Sequence, residues 1–244
     1  MNTLLIQLIT VLFLGTSCKK NPAENGGTPV KNVVKGKATH SNGTPLKGVS
    51  ILIDNTIFYN SYLSGTTGDD GTYQITLTNG AWQAYASMNV AYNGKTYKVD
   101  LHPDDANGFT QEGAVRNFQW KIVGKKPTPL TGTYGGTIIV DKAILSSIYD
   151  SENIEFTLTP TGKLIDGSDG TVLKLKHGLP TTDTYGKLID VPIGRYTVTA
   201  KYQSATIKLR NKLDPASTLA TSMVLDFEPN TSIGNNMAVI EYKE

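Results

Sequence analysis

Apolar and polar residues alternate in short runs along most of the chain, the period-two signature of half-buried strands. Val34, Gly36 and Ala38, then Val49, Ile51 and Ile53, fall on every second position, and Asn42-Gly43 and Pro45 break the run between them. Two strands and a turn are predicted there. Asp69-Asp70-Gly71 marks a second turn, Thr72-Tyr73-Gln74-Ile75 opens the next strand, and another begins at Gly80. Alternation pauses at Gly124-Lys125-Lys126-Pro127-Thr128-Pro129, a proline-rich break of the kind that separates domains. It resumes over residues 134–140, 154–158, 171–175 and 186–200. The expected fold class is all-β, with a β-sandwich over residues 33–123, a linker at 124–129 and a second β-sandwich over 130–244. Each segment, at roughly 100 residues, is large enough for a core of its own.

The start of the chain follows a different pattern. Residues 4–14 are apolar apart from Gln7 and Thr10. That run is shorter than the roughly 20 residues of a spanning helix and matches the hydrophobic region of a signal peptide. Leu14-Gly15-Thr16-Ser17-Cys18 then places small residues directly before the single cysteine. This resembles the lipobox of bacterial lipoproteins of the Bacteroidota type. The resemblance implies a signal peptide at 1–17, Cys18 as the lipidated N-terminus, and a membrane partner through that anchor. It also implies a location on the outer membrane, with the periplasmic and the surface face both open. A free thiol beside a cleavage site is the competing reading of Cys18. Residues 19–31 hold two prolines, two glycines and no apolar period, so 18–32 reads as the lipidated cysteine and a flexible tether. With one cysteine, no disulfide forms within the chain.

Three motifs follow in order: Thr44-Pro45-Leu46-Lys47-Gly48-Val49, Asp69-Asp70-Gly71-Thr72-Tyr73 and Gly80-Ala81-Trp82-Gln83-Ala84-Tyr85-Ala86. Over residues 33–122 they resemble the carboxypeptidase regulatory-like domain, a transthyretin-like β-sandwich, with Trp82 and Ala84 where that family usually has Tyr and Val. The resemblance implies a fold and a non-catalytic, accessory role. Gly194-Arg195-Tyr196-Thr197-Val198-Thr199-Ala200 repeats the theme of residues 80–86. It resembles prealbumin-like and collagen-binding-protein B-type modules. A diverged duplicate and an unrelated immunoglobulin-like sandwich both fit this second segment. Collagen-binding modules of this type can carry a Lys–Asn isopeptide crosslink; Lys142 with Asn235 or Asn236 is the candidate pair, in no recognisable motif.

Composition narrows the function classes. Of 244 residues, 39% are apolar and 18% charged, which is globular. Lys and Arg number 23 against 21 Asp and Glu, and no basic run interleaves with aromatics, so nucleic acid is not an expected partner. His40, His102 and His177 are too far apart for a His-x-x-x-His pair, and the chain has neither a Gly-x-Ser-x-Gly elbow nor a glycine-rich phosphate loop. No catalytic residue, metal site or cofactor is expected. Asp166-Gly167-Ser168-Asp169-Gly170, and Asp100 with Asp104 and Asp105, come nearest to a calcium set, but both read as turns or polar loops.

Function is therefore expected on sandwich surfaces. With Trp82, Ala84, Ala86 and Met88 facing a core, Gln83, Tyr85 and Ser87 are expected to face outward, and Tyr92 and Tyr97 to continue the row around Asn93-Gly94. Tyr85, Tyr92 and Tyr97 are the candidate ligand-binding residues, an aromatic row suited to stacking on sugar rings or anchoring a protein. Structural cross-strand pairing is the alternative for them. The leading expectation is a non-catalytic cell-envelope lipoprotein that binds a glycan or an envelope protein near an outer-membrane uptake system. A structural spacer without ligand and an unrecognised hydrolase are the alternatives.

Overall fold

The computed structural model describes residues 27–244; Cys18, the signal segment and most of the tether lie outside the described residues. The first half contains β1 (Val33–Thr39), β2 (Ser50–Asn55), β3 (Tyr62–Thr66), β4 (Thr72–Thr76), β5 (Ala81–Tyr92), β6 (Lys95–Asp100), β7 (His102–Pro103), β8 (Phe109–Thr110), β9 (Ala114–Val115) and β10 (Phe118–Gln119). The second contains β11 (Gly136–Lys142), β12 (Ile154–Pro160), β13 (Leu173–Leu175), β14 (Lys187–Val191), β15 (Tyr196–Tyr202), β16 (Ala205–Asn211), β17 (Met223–Leu225), β18 (Glu228–Thr231) and β19 (Gly234–Lys243). Among the described residues the fold is all-β, interrupted by a single 3-10 turn at Ser151–Asn153. Among the described residues no helix is long and apolar enough to cross a membrane.

In the first half one sheet has the order β4-β1-β10-β7 with β9 also on β1, and the other β3-β2-β5-β6 with β8 on β5. Alternate side chains meet between them: Val34 and Ala38 from β1, Ile51 and Ile53 from β2, Trp82, Ala84 and Ala86 from β5, and Phe118 from β10 are all buried. The Trp82 indole is almost fully enclosed, and its Nε1 donates to the Thr78 carbonyl at 3.2 Å, which satisfies the one polar atom buried with the ring.

The second half repeats most of this pairing, with β18, an antiparallel partner of β19, added. β11 pairs antiparallel with β14 and parallel with β19, as β1 does with β4 and with β9 and β10. β15 lies between β12 and β16 as β5 lies between β2 and β6, and β13 and β17 take the places of β3 and β8. β16 pairs with β15 at its start and with β19 at its end, so it crosses between sheets as the β6–β7 run does. Corresponding loop bonds recur: Ala38 N donates to the Gly71 carbonyl at 2.9 Å, and Val140 N to the Gly186 carbonyl at 2.8 Å. The repeated motif sits on equivalent strands, with Trp82 and Tyr196 both buried at its head.

The two sandwiches are packed together through one long hairpin. β5 has 12 residues; its first part, through Ser87, pairs with β2, and from Met88 it pairs only with β6. The end of β5 and β6 therefore project as a two-stranded arm that lies on the second sandwich. Tyr97 Oη donates to the Phe227 carbonyl at 2.7 Å, Tyr92 Oη donates to the Lys163 carbonyl at 2.8 Å and accepts from Arg195 N at 3.1 Å, and Lys95 pairs with Glu228 at 2.6 Å. Buried apolar residues of both halves belong to one cluster.

Residues 124–135 fold back against the second sandwich. Asp190, in the left-handed region at φ 60°, accepts from Gly124 N at 2.7 Å and from Gly135 N at 3.0 Å, and Lys126 N donates to the Gly132 carbonyl at 3.0 Å. The glycine pair after Tyr134 answers to close packing. A Cβ on Gly136 would lie 2.5 Å from the Phe227 ring and 2.8 Å from the Asn236 carbonyl oxygen.

Candidate functional site: a cleft between the sandwiches

Docking the arm leaves a cleft of about 840 Å³ between the halves. Its floor is the outer face of the sheet formed by β14, β11 and β19. Period-two alternation sends Ile138 and Val140 into the core and leaves Thr137 and Ile139 on the outside, beside Lys187 and Ile189 of β14 and Asn235 and Met237 of β19. The first sandwich supplies one wall through Lys98 and Asp100 of β6, and the folded-back segment supplies another through Lys126 and Tyr134.

The corner where these walls meet is tightly built. Lys126 Nζ reaches an Asp100 carboxylate oxygen at 2.6 Å and lies 5.7 Å from the centre of the Tyr134 ring. Tyr134 is buried, and its hydroxyl lies 3.0 Å from Nδ1 of His102. Burial, helped by the Asp100 charge, pushes the Tyr134 phenol up to about 12. Burial, with the charge of Lys121, holds the His102 ring below its usual value. Both shifts favour a neutral pair. Asp100, Lys126 and Tyr134 also line a neighbouring cavity of about 320 Å³ whose other walls include Tyr85, Leu130 and Thr131.

On the far side Asn236, at φ 56°, donates through Nδ2 to the Lys98 carbonyl at 3.3 Å, while its Oδ1 is buried without a hydrogen-bond partner. Three lysines, Lys98, Lys126 and Lys187, face two acids, Asp100 and Asp183, across the cleft, so its formal charge is one positive. The arrangement offers an apolar strip edged by ammonium, hydroxyl and amide groups.

The tyrosine row does not form. Tyr85 is 36% exposed and lines the smaller cavity, as its outward position requires. Tyr97 is 1% exposed, and Tyr92 is half-buried under its bonds to the second sandwich. Strand period explains the correction: Tyr92 lies an odd number of residues from Tyr85, and Tyr97 pairs with Val90, so both belong to the opposite face of the sheet. Gln83 points outward by alternation yet is buried, because its amide donates to the Ala106 carbonyl in the overlying loop. The lipidation residue Cys18 falls outside the described residues.

The other sequence candidates separate in space. Asp166 accepts from Ser168 N at 3.0 Å within its own turn and Asp169 pairs with Lys163, while Asp100, Asp104 and Asp105 turn to Lys126, Asn117 and Arg116. Among the described residues no group of three His, Cys, Asp or Glu gathers as a metal set would. Lys142 pairs in register with Tyr242 and its Nζ sits 3.3 Å from the Tyr149 ring centre. Asn236 lies six positions back along β19, roughly 20 Å away at strand rise, so a crosslink between them is excluded. His40 packs on Trp120. His177 Nε2 lies 2.9 Å from Ser151 Oγ, a pair sequence spacing did not reveal because the residues sit on separate loops. Both are buried, and Nδ1 of the ring is held by the Gly178 carbonyl at 2.8 Å instead of by a carboxylate.

No protein-family model matches the chain, and no curated protein matches it. Among solved structures it is similar to the Bacillus anthracis TIE protein (14% identity over 88% of this chain and 34% of that one, TM-score 0.33). It is also similar to a C-terminal fragment of the pilus adhesin SpaC from Lactobacillus rhamnosus GG (13% identity, 87% and 98% covered, TM-score 0.25). A third similar structure is a DUF3823 family protein from Bacteroides ovatus (14% identity, 80% and 98% covered, TM-score 0.25). The chain thus spans about a third of the length of the Bacillus anthracis protein.

Proposed function

We propose that the chain is a non-catalytic, lipid-anchored binding module of the outer membrane that holds a glycan in the cleft between its two sandwiches, beside an uptake system for that glycan. The cleft's composition carries this reading: an apolar strip of Ile139, Ile189 and Met237 edged by Lys98, Lys187, Asp183 and Asn235 within about 840 Å³. A sugar ring presents the matching surfaces, C–H faces that favour apolar ground and peripheral hydroxyls that exchange water for fixed donors and acceptors. The one-unit positive balance favours a glycan bearing carboxylates. Ser151 and His177 are assigned a structural role, since both are enclosed and neither lines any of the described cavities.

Calorimetric titration of the full chain with neutral and uronic-acid polysaccharides tests the reading. An acidic polysaccharide is expected to bind, and Ile189→Glu, which sets a carboxylate on the exposed floor, is expected to abolish binding without loss of the fold. Silence of the wild type across the panel overturns the glycan reading. The stitched interface between the halves favours a second reading, a rigid spacer, which that silence would support.

A further inference from the structure

The loop between β2 and β3 breaks the rule that turns are polar. Ile57, Phe58 and Tyr59 are consecutive and 65%, 63% and 101% exposed, and Tyr62 beside them is 57% exposed. The tip is held in shape and is not merely left over from the core. Asn55, itself buried, accepts through Oδ1 from Ile57 N and Phe58 N at 2.9 Å each, its own N donates to the Ser61 carbonyl at 2.8 Å, and Thr56 N donates to the Ala81 carbonyl at 2.9 Å. Asn60 closes the turn in the left-handed region at φ 54°. Four N–H groups of the loop backbone are held in this way, and what the loop presents outward is three large apolar side chains.

This tip lies at the end of the sandwich where the chain comes in from its N-terminus. Asn32, directly before β1, accepts through its carbonyl from Leu77 N at 2.8 Å, and residues 77–80 connect that point to β5. A Cβ on Gly80 would sit 2.9 Å from Asn55 Nδ2, so the base of the apolar tip and the start of β1 are separated by one four-residue connection. Charge at this end includes Asp54, in register with Tyr62 at the base of the tip, and Lys31, which faces Glu112 at 3.7 Å. Fifteen residues lead from Cys18 to Val33 at the start of β1, a length of chain that can span at most about 50 Å.

We propose that the Ile57-Phe58-Tyr59 tip inserts into the lipid surface to which the chain is anchored, setting the sandwich upright on the bilayer. This rests on the proposed lipidation of Cys18. An aliphatic and two aromatic side chains on a preorganised turn suit the headgroup and upper acyl region, where amphipathic rings settle. Three such side chains bind membranes weakly alone; an anchor a short tether away raises their effective concentration to the millimolar range, where weak insertion is sufficient.

The test uses full-length, lipidated protein in vesicles of phosphatidylethanolamine and phosphatidylglycerol, with Tyr59→Cys carrying an environment-sensitive nitrobenzoxadiazole label and Ile144→Cys, exposed in the second sandwich, as the control site. The label at 59 is expected to shift to the blue and to be quenched by lipids spin-labelled near the headgroup. The label at 144 is expected to stay water-like, and Ile57→Ser with Phe58→Ser to remove the shift at 59. Protein that floats with vesicles while its label at 59 stays water-like overturns the insertion and leaves the anchor standing. Protein that does not float removes the anchor and the insertion with it. A label at 59 that responds to a soluble polysaccharide and not to vesicles also overturns the proposal, assigning the tip to glycan.

Discussion

The hydroxyls of Tyr92 and Tyr97 are the point where the two sandwiches are most directly testable as one body. Changing both to Phe keeps the rings and deletes the bonds to the Phe227 and Lys163 carbonyls and from Arg195 N. Each is worth roughly 1 kcal/mol net. The Phe227 carbonyl keeps a contact to Lys95 Nζ at 3.5 Å, and the Lys163 and Arg195 groups are near enough to solvent to rehydrate, so the loss falls at about 2–3 kcal/mol. Both tryptophans, Trp82 and Trp120, lie in the first half, so their fluorescence reports that half while circular dichroism reports both. In urea the wild type is expected to give superimposable transitions by the two probes. In the double variant the fluorescence midpoint is expected to fall by on the order of 1 M, as the m-values of small domains imply, and to separate from the dichroism curve. Wild-type transitions that already separate, or a double variant with an unmoved midpoint, would refute the coupling.

Three further outcomes follow from the same contacts. Gly136→Ala forces a Cβ against the Phe227 ring and the Asn236 carbonyl and is expected to lower stability by about 1–3 kcal/mol in a denaturant series, as overpacking does. The His102 ring titrates below its usual 6.5, so the unfolded chain binds protons first; melting temperature is expected to hold above pH 6.5 and fall as pH drops through the folded value, with His102→Gln flattening the profile. Hydrogen bonds from Ser146 Oγ and from Ser147 N and Oγ hold the Glu244 carboxyl at about 2, well below 4.5. Its clamp on the β11–β12 loop is complete above pH 4.5 and lost on acidification towards 2, so Glu244→Gln is expected to speed amide exchange at Ser147 at neutral pH.

The sandwich class was legible because alternation marks strands and Asp-Gly and Asn-Gly mark their turns. The repeated theme was visible in one strand: Gly80–Ala86 and Gly194–Ala200 occupy equivalent positions, and the rest of the likeness between the halves was hidden because it is written in pairing and not in residues. The tyrosine row failed on arithmetic the sequence already contained, the odd separation of Tyr85 and Tyr92. The cleft was not legible at all. Alternation says that Thr137 and Ile139 leave the core, but not that the arm of β5 and β6 docks above them, and Asp100, Lys126 and Tyr134 meet across 35 residues through a fold-back fixed by Asp190. The Ile57-Phe58-Tyr59 tip was detectable as a violation, apolar residues where a turn should be polar.

The most direct test of the cleft as the working surface is amide-resonance mapping of the full chain as an acidic polysaccharide is added. The account predicts shifts at Lys98, Lys187, Ile189 and Asn236, on one wall and the floor strands, with Tyr59 and Ser151 unmoved. Saturable binding that shifts resonances elsewhere and leaves those four unchanged would contradict it.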